Sequence, residues 1–254
     1  MVIDKKIVKQ RFEKNILTYN NHAHIQKEIC KKLTAKLLNI KDKQLNRILE
    51  IGCGTGFLTE ELLKNISPDY FYANDIVEST EKYISKILNS HHIKNQYFIC
   101  GDAETLDFPK DLDLIISTST IQWFVNLNKF INNTVNSLKK GGIFAFSTFG
   151  PKNFLEIRSI SDSGLNYLPI KEYKELLGSE FTIHYSEEYT NTIHFNNAVE
   201  VLKHIKYTGV NGNNKFAWTK KELRYFTDKY DDMFFDGEGV PLTYHPIILI
   251  AEKK

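Results

Sequence analysis

The chain has 254 residues, 42% of them hydrophobic, and a formal net charge of only +2, enough for one α/β domain with a sizeable core and too neutral for a dedicated nucleic-acid binder. No apolar run reaches the roughly 20 residues of a membrane span, and Met1 to Lys6 lack a secretory core. Cys30, Cys53 and Cys100 are too scattered for a disulfide framework or a CxxC metal site, so a cytoplasmic protein with reduced thiols is expected.

Residues 5–38 place Ile25, Ile29, Leu33, Leu37 and Leu38 at helical spacing opposite lysines, which predicts helix. A strand over 47–51 runs into glycines, and 57–65 continues as a helix. Phe71 to Asp75 predicts strand two and 78–89 its helix. Tyr97 to Cys100 is strand three, Leu112 to Ser117 strand four and Ile143 to Thr148 strand five. Gly141-Gly142 after Leu138-Lys139-Lys140 reads as a helix end turning directly into strand five. The alternation implies a Rossmann-like parallel sheet with helices on both faces. Phe181 to Phe195 and Thr243 to Glu252 then predict two long strands with no crossover helix, an antiparallel edge pair interrupted by a helical insertion at about 196–239, with helices over 196–208 and 219–235. Neither a repeat nor a low-complexity linker interrupts the chain, so a single domain is expected. The histidine pairs His22/His24 and His91/His92 lack carboxylate or cysteine neighbours at ligand spacing, and no metal is expected.

The most informative stretch is Ile48-Leu49-Glu50-Ile51-Gly52-Cys53-Gly54-Thr55-Gly56. A strand that turns this sharply into a helix brings bare backbone N–H groups to a ligand, and glycine alone tolerates both the turn and the approach. The spacing is GxGxG followed by Phe57, whereas the dinucleotide fingerprint GxGxxG would put a third glycine at 57. With Glu50 just before the glycines, the stretch resembles motif I of the class I S-adenosylmethionine-dependent methyltransferases. The resemblance implies that Glu50, Gly52, Cys53, Gly54 and Gly56 surround the methionine end of that cofactor. Asp75 ends strand two 23 positions past Gly52, near the roughly 20 typical of a ribose-binding carboxylate, although a helix cap is the other reading. Ile76 follows it on the cofactor side. Gly101-Asp102-Ala103-Glu104 after strand three is similar to the family's adenine loop. There the acid accepts from the amino group and the next backbone N–H, that of Ala103, reaches the ring. Ser117 would form the lip of the cleft at the carboxyl end of strand four.

Further segments narrow the resemblance. Arg11-Phe12, Thr18-Tyr19, Ser119-Thr120-Ile121-Gln122-Trp123-Phe124, Phe146 to Pro151, Leu202 to Asn211 and Leu242-Thr243-Tyr244 together resemble the malonyl-[acyl-carrier protein] O-methyltransferases of biotin synthesis. This likeness runs from about residue 7 to residue 252. It implies a seven-stranded, mostly parallel sheet with an antiparallel final strand, an N-terminal helical lid over about 1–40, and methyl transfer to the free carboxylate of a malonyl thioester on acyl-carrier protein or coenzyme A. Tyr19, Gln122, Trp123 and Lys206 are the acceptor-side residues so implied. Lys203, Arg158 and Arg224 are other cations for the carboxylate, and Tyr244 and His245 a far wall. An acidic carrier would dock on basic clusters, Lys5, Lys6, Lys9, Arg11 and Lys14 or Lys220, Lys221 and Arg224. Each of these also reads as core or as a solvated face. A monomer that binds neither nucleic acid nor membrane is expected. Two other functions stay open at this point: methylation of a small free acid or quinone precursor, and a non-catalytic S-adenosylmethionine-binding regulator.

Overall fold

The computed structural model describes residues 3–40, 44–161, 164–208 and 218–254, so the Gly209-Val210-Asn211 segment lies outside the described residues. Nine strands occur among them: β1 (Arg47–Ile51), β2 (Tyr70–Asp75), β3 (Asn95–Cys100), β4 (Leu112–Thr118), β5 (Leu138–Phe149), β6 (Phe181–Glu188), β7 (Asn191–Phe195), β8 (Val240–Tyr244) and β9 (Pro246–Lys253). The helices are α1 (Lys5–His22), α2 (His24–Leu38), α3 (Phe57–Leu63), α4 (Glu81–Ser90), α5 (Leu127–Ser137), α6 (Leu155–Ile160), α7 (Ile170–Leu177), α8 (Ala198–Tyr207) and α9 (Lys220–Phe234). Two compact units emerge. The larger comprises His24–Thr148, Pro169–Glu187 and Ile247–Lys254, the smaller Met1–Ala23, Phe149–Leu168 and Glu188–Pro246.

The larger unit is organised by a seven-stranded sheet of order β3-β2-β1-β4-β5-β9-β6, mostly parallel with one antiparallel strand. Its central strands carry apolar residues on both faces, as a sheet covered on both sides requires. Ile48, Leu49 and Ile51 of β1 and Leu114, Ile115 and Ile116 of β4 are fully buried. The order reverses direction between β1 and β4, where Ile51 lies opposite Ser117. In open α/β sheets that crevice at the carboxyl ends is where ligands bind. Helix α2 lays the stripe Ile29, Leu33 and Leu37 against the sheet and packs on α3 and β4. The smaller unit carries the antiparallel pair β7·β8, with α6 and α8 among its helices. Tyr230 and Tyr244 are fully buried within it. Thr219 and Glu222 form a capping box that starts α9.

The structure corrects several expected boundaries. The helix over 5–38 is two helices that part at Ala23, and this divides the expected N-terminal lid between the two units. Helix α5 stops at Ser137, ahead of Lys139-Lys140-Gly141-Gly142, because Leu138 already pairs with Leu112. The glycines serve a register shift inside β5 rather than a helix end. Two helices, α6 and α7, stand between β5 and β6, a stretch to which the sequence pattern assigned no element. Both terminal long strands are broken, at 189–190 and at His245, so that β7 and β8 pair with each other while β6 and β9 are neighbours in the large sheet.

Candidate functional site

The carboxyl ends of β1, β2, β3 and β4 present four loops side by side. At the first, Gly52, Gly54 and Gly56 have φ of 69°, 52° and 88°, a left-handed run that L side chains resist. The three do different things. A Cβ on Gly52 would collide with the Thr120 hydroxyl, and one on Gly56 with the tip of Ile87 on α4. Nothing stands within 4 Å of a Cβ built on Gly54. Gly52 and Gly56 therefore allow packing, and Gly54 alone offers open backbone.

Asp75 locks this loop from β2. Its Oδ2 accepts the Gly54 N–H at 2.8 Å and its Oδ1 accepts the Val77 N–H at 2.8 Å. The carboxylate is thus aimed at the glycine turn. Asn74, which sequence reasoning passed over, joins three strands. Its carbonyl accepts the Gly52 and Cys53 N–H groups at 2.8 and 3.0 Å, while its amide donates to Ile99 O and Gly101 O at 2.8 and 3.0 Å. An amide in an otherwise apolar strand was the available signal. Ile76 is half-buried between Asp75 and Val77.

Glu50 is 1% exposed and accepts the Thr59 hydroxyl of α3 at 2.6 Å. Burial pushes its carboxyl up to about 8, with the Thr59 bond opposing and the charge of Asp75 adding to the rise. Burial also holds the Cys53 thiol well above its usual range. Glu50 thereby ties the end of β1 to α3, while Cys53 closes the turn itself, its carbonyl accepting the Gly56 N–H at 2.9 Å. Ser117 is fully buried and donates to Ile51 O at 2.9 Å, so it fastens the end of β4 to that of β1.

After β3, Asp102 Oδ1 accepts the Glu104 N–H at 3.0 Å and its carbonyl accepts the N–H groups of Thr105 and Leu106, which fixes a tight turn carrying buried Ala103. Glu104, 5% exposed, accepts the backbone N–H groups of Val125 and Asn126. It pins the loop after β4 to the loop after β3. In the former, Gln122 Nε2 donates to Ser119 O at 2.6 Å and Thr148 Oγ1 donates to Gln122 Oε1 at 3.4 Å. Thr148 lies 3.4 Å from the hydroxyl of buried Tyr173. Ser119 has φ of 53°, and its Oγ and the indole N–H of Trp123 are buried without a hydrogen-bond partner. Buried polar groups are rarely left without a partner.

The remaining expected residues belong to the smaller unit. Tyr19 stands 5.6 Å from Phe12, ring to ring, and its phenol adds, with that of Tyr167, to the burial that raises the Tyr244 hydroxyl. Tyr244 OH lies 2.7 Å from His204 Nε2, and His245 Nδ1 accepts the Lys152 N–H at 3.0 Å. Lys206 is exposed on the last turn of α8, as is Lys203 one turn earlier. Arg158 donates to Pro151 O at 2.6 Å and Arg224 pairs with Asp228 at 3.5 Å. Glu156, buried, accepts both the N–H and the hydroxyl of Thr243, a pairing with no local sequence signal. Among the described residues no three His, Cys, Asp or Glu side chains group as metal ligands.

A glycine turn with one open position, a carboxylate clamped to it from the next strand, and an acid-led loop after the third define an S-adenosylmethionine-dependent methyltransferase fold. The family model described as a methyltransferase domain matches residues 49–146. A Bacteroides fragilis malonyl-[acyl-carrier protein] O-methyltransferase is 39% identical over 98% of this chain, which spans about half (51%) of that relative. The Prosthecochloris aestuarii protein of the same name is 37% identical over 99% of this chain and 94% of its own. A solved magnesium protoporphyrin IX methyltransferase from Synechocystis, with bound S-adenosylhomocysteine, shares the fold at TM-score 0.55, with 14% identity over 90% of this chain and 83% of that one. The chain belongs to the malonyl-[acyl-carrier protein] O-methyltransferase family.

Proposed function

We propose that this chain methylates the free carboxylate of a malonyl thioester carried on acyl-carrier protein, or on coenzyme A, giving the methyl ester. The names of its relatives support the acceptor. The observation that carries the cofactor half is the Gly54–Asp75 corner, where a glycine with no neighbour over its Cα is held by a strand-end carboxylate. When bound, S-adenosylmethionine supplies a methyl group made electrophilic by its sulfonium.

The chain's own residues then have limited tasks. Asp75 accepts the ribose hydroxyls, and Asp102 with the Ala103 N–H meets the adenine edge. Glu50, Gly52, Cys53, Gly56, Ile76 and Ser117 shape the walls and hold Gly54 in place. A malonyl carboxylate is already ionised at neutral pH, so no general base is demanded of the protein. Its work is alignment and exclusion of water. Gln122, fixed by Ser119 and Thr148, forms one wall of the acceptor pocket, and Trp123 offers its unpartnered indole N–H to the acceptor. Tyr19 and Lys206 are proposed as acceptor residues on the family resemblance alone, and the exposed lysines of α1 and α9 suit an acidic carrier. We further propose a cytoplasmic monomer; no helix among the described residues is long and apolar enough to cross a membrane.

Incubation with S-adenosylmethionine and malonyl-carrier protein, malonyl-coenzyme A or free small acids tests this reading. Methyl ester on a malonyl thioester, with equimolar S-adenosylhomocysteine, is the expected result. Methylation of free acids alone, or tight cofactor binding without any product, would overturn it.

A further inference from the structure

Helix α2 carries a glutamine in the first turn of its buried stripe. Gln26 is 3% exposed, and neither its Nε2 nor its Oε1 has a hydrogen-bond partner. An amide buried with both ends unpaired is costly, and an apolar side chain of equal size would serve packing better. Its position is well defined. One turn further along, Cys30 Sγ meets Thr118 Oγ1, at the carboxyl end of β4, at 3.2 Å. The next residue, Lys27, holds its ammonium 4.4 Å from the ring centre of Phe57, the first residue of α3 after the glycine turn. At the other end of α2, Leu37 and Leu38 line a groove with Asn46 and Ile143, at the amino ends of the strands. The helix therefore runs antiparallel to β4, which places Gln26 one turn beyond Cys30, past the carboxyl end of that strand and beside Lys27, whose ammonium reaches the start of α3.

We propose that Gln26 grips the α-amino acid end of the cofactor, its Nε2 donating to the α-carboxylate and its Oε1 accepting from the α-ammonium. This inference deepens the proposed function and rests on its cofactor reading. A primary amide carries a donor and an acceptor on separate atoms and so can meet both halves of a zwitterion at once. A malonyl carboxylate would use only the donor and leave Oε1 facing negative charge. An adenine edge also matches an amide, but the loop proposed to hold adenine follows β3, which β2 and β1 separate from β4 in the sheet.

Calorimetry with S-adenosylhomocysteine and with 5′-methylthioadenosine, which lacks the amino acid, isolates the contact. For Gln26→Met the expected result is roughly a 10- to 100-fold loss of S-adenosylhomocysteine affinity, unchanged methylthioadenosine affinity, and an unliganded melting temperature equal to or above that of the wild type. Gln26→Glu keeps the shape and the acceptor but loses the donor, and should lose at least as much. Equal losses for both nucleosides, or no loss for either, overturn the proposal while leaving the cofactor assignment standing. A wild-type chain that binds neither nucleoside overturns that assignment and this inference with it.

Discussion

Glu50 should make this protein less stable as pH rises through neutrality, and Glu50→Gln should remove the effect. The carboxyl has an ordinary value of 4.5 and stands near 8 in the fold, chiefly because it is buried. In the unfolded chain it ionises from about pH 4.5 upward. The folded chain keeps the proton until about pH 8, so between those values the unfolded state is progressively favoured. At about 1.4 kcal/mol per pH unit this comes to a loss on the order of 3–5 kcal/mol, complete above pH 8. Glutamine matches the neutral form in shape and still accepts the Thr59 hydroxyl. Urea unfolding of both proteins from pH 5 to 8.5 measures the difference directly. The curves should converge toward pH 5 and separate upward, the variant being the more stable at alkaline pH. A difference that stays constant with pH would refute the argument, since it would mean that Glu50 is charged throughout.

Three further outcomes are expected. Asp75→Asn keeps the side-chain shape but gives up a charged acceptor shared by Gly54 and Val77; S-adenosylhomocysteine affinity should fall by about 2–4 kcal/mol, read by calorimetry. Gly54→Ala meets no neighbour and should cost only about 1–2 kcal/mol of backbone strain, whereas Gly52→Ala also strikes Thr120 and should unfold at markedly lower urea, partly restored by Thr120→Ala. A thiol reagent should label Cys100 quickly in the native protein and all three cysteines only after unfolding, because Cys30 and Cys53 are buried and burial raises both thiols, that of Cys30 to about 12.

What the sequence disclosed and what it hid have physical causes. The βα corner was legible because its glycines have no substitute at positive φ, and Asp75 because strand length fixes where a strand-end acid falls. The break between α1 and α2 left no mark, for Ala23 is itself a strong helix former and only its backbone departs from the helix. The break after β6 falls at Tyr189-Thr190, two residues that themselves favour strand. That before β9 did carry a signal, Pro246, which cannot donate to a continuing ladder. Helix α7 was signalled too, by Pro169 ahead of Tyr173 and Leu177, buried at a spacing of four. Asn74, Glu104 and Gln26 were missed because their roles are set by distant partners, or by the lack of one, and local pattern is silent on that.

The carboxylate of Glu104 has a consequence for any redesign of the proposed acceptor pocket. By holding Val125 and Asn126 it turns the loops after β3 and β4 into one mechanical piece. On the proposed reading, remodelling residues 119–126 to admit a bulkier acceptor would drag on the nucleobase side through that tether, and changes made near Asp102 would be felt at Trp123. Selectivity for cofactor and acceptor would then not be independently tunable, and a redesign would have to vary both loops together.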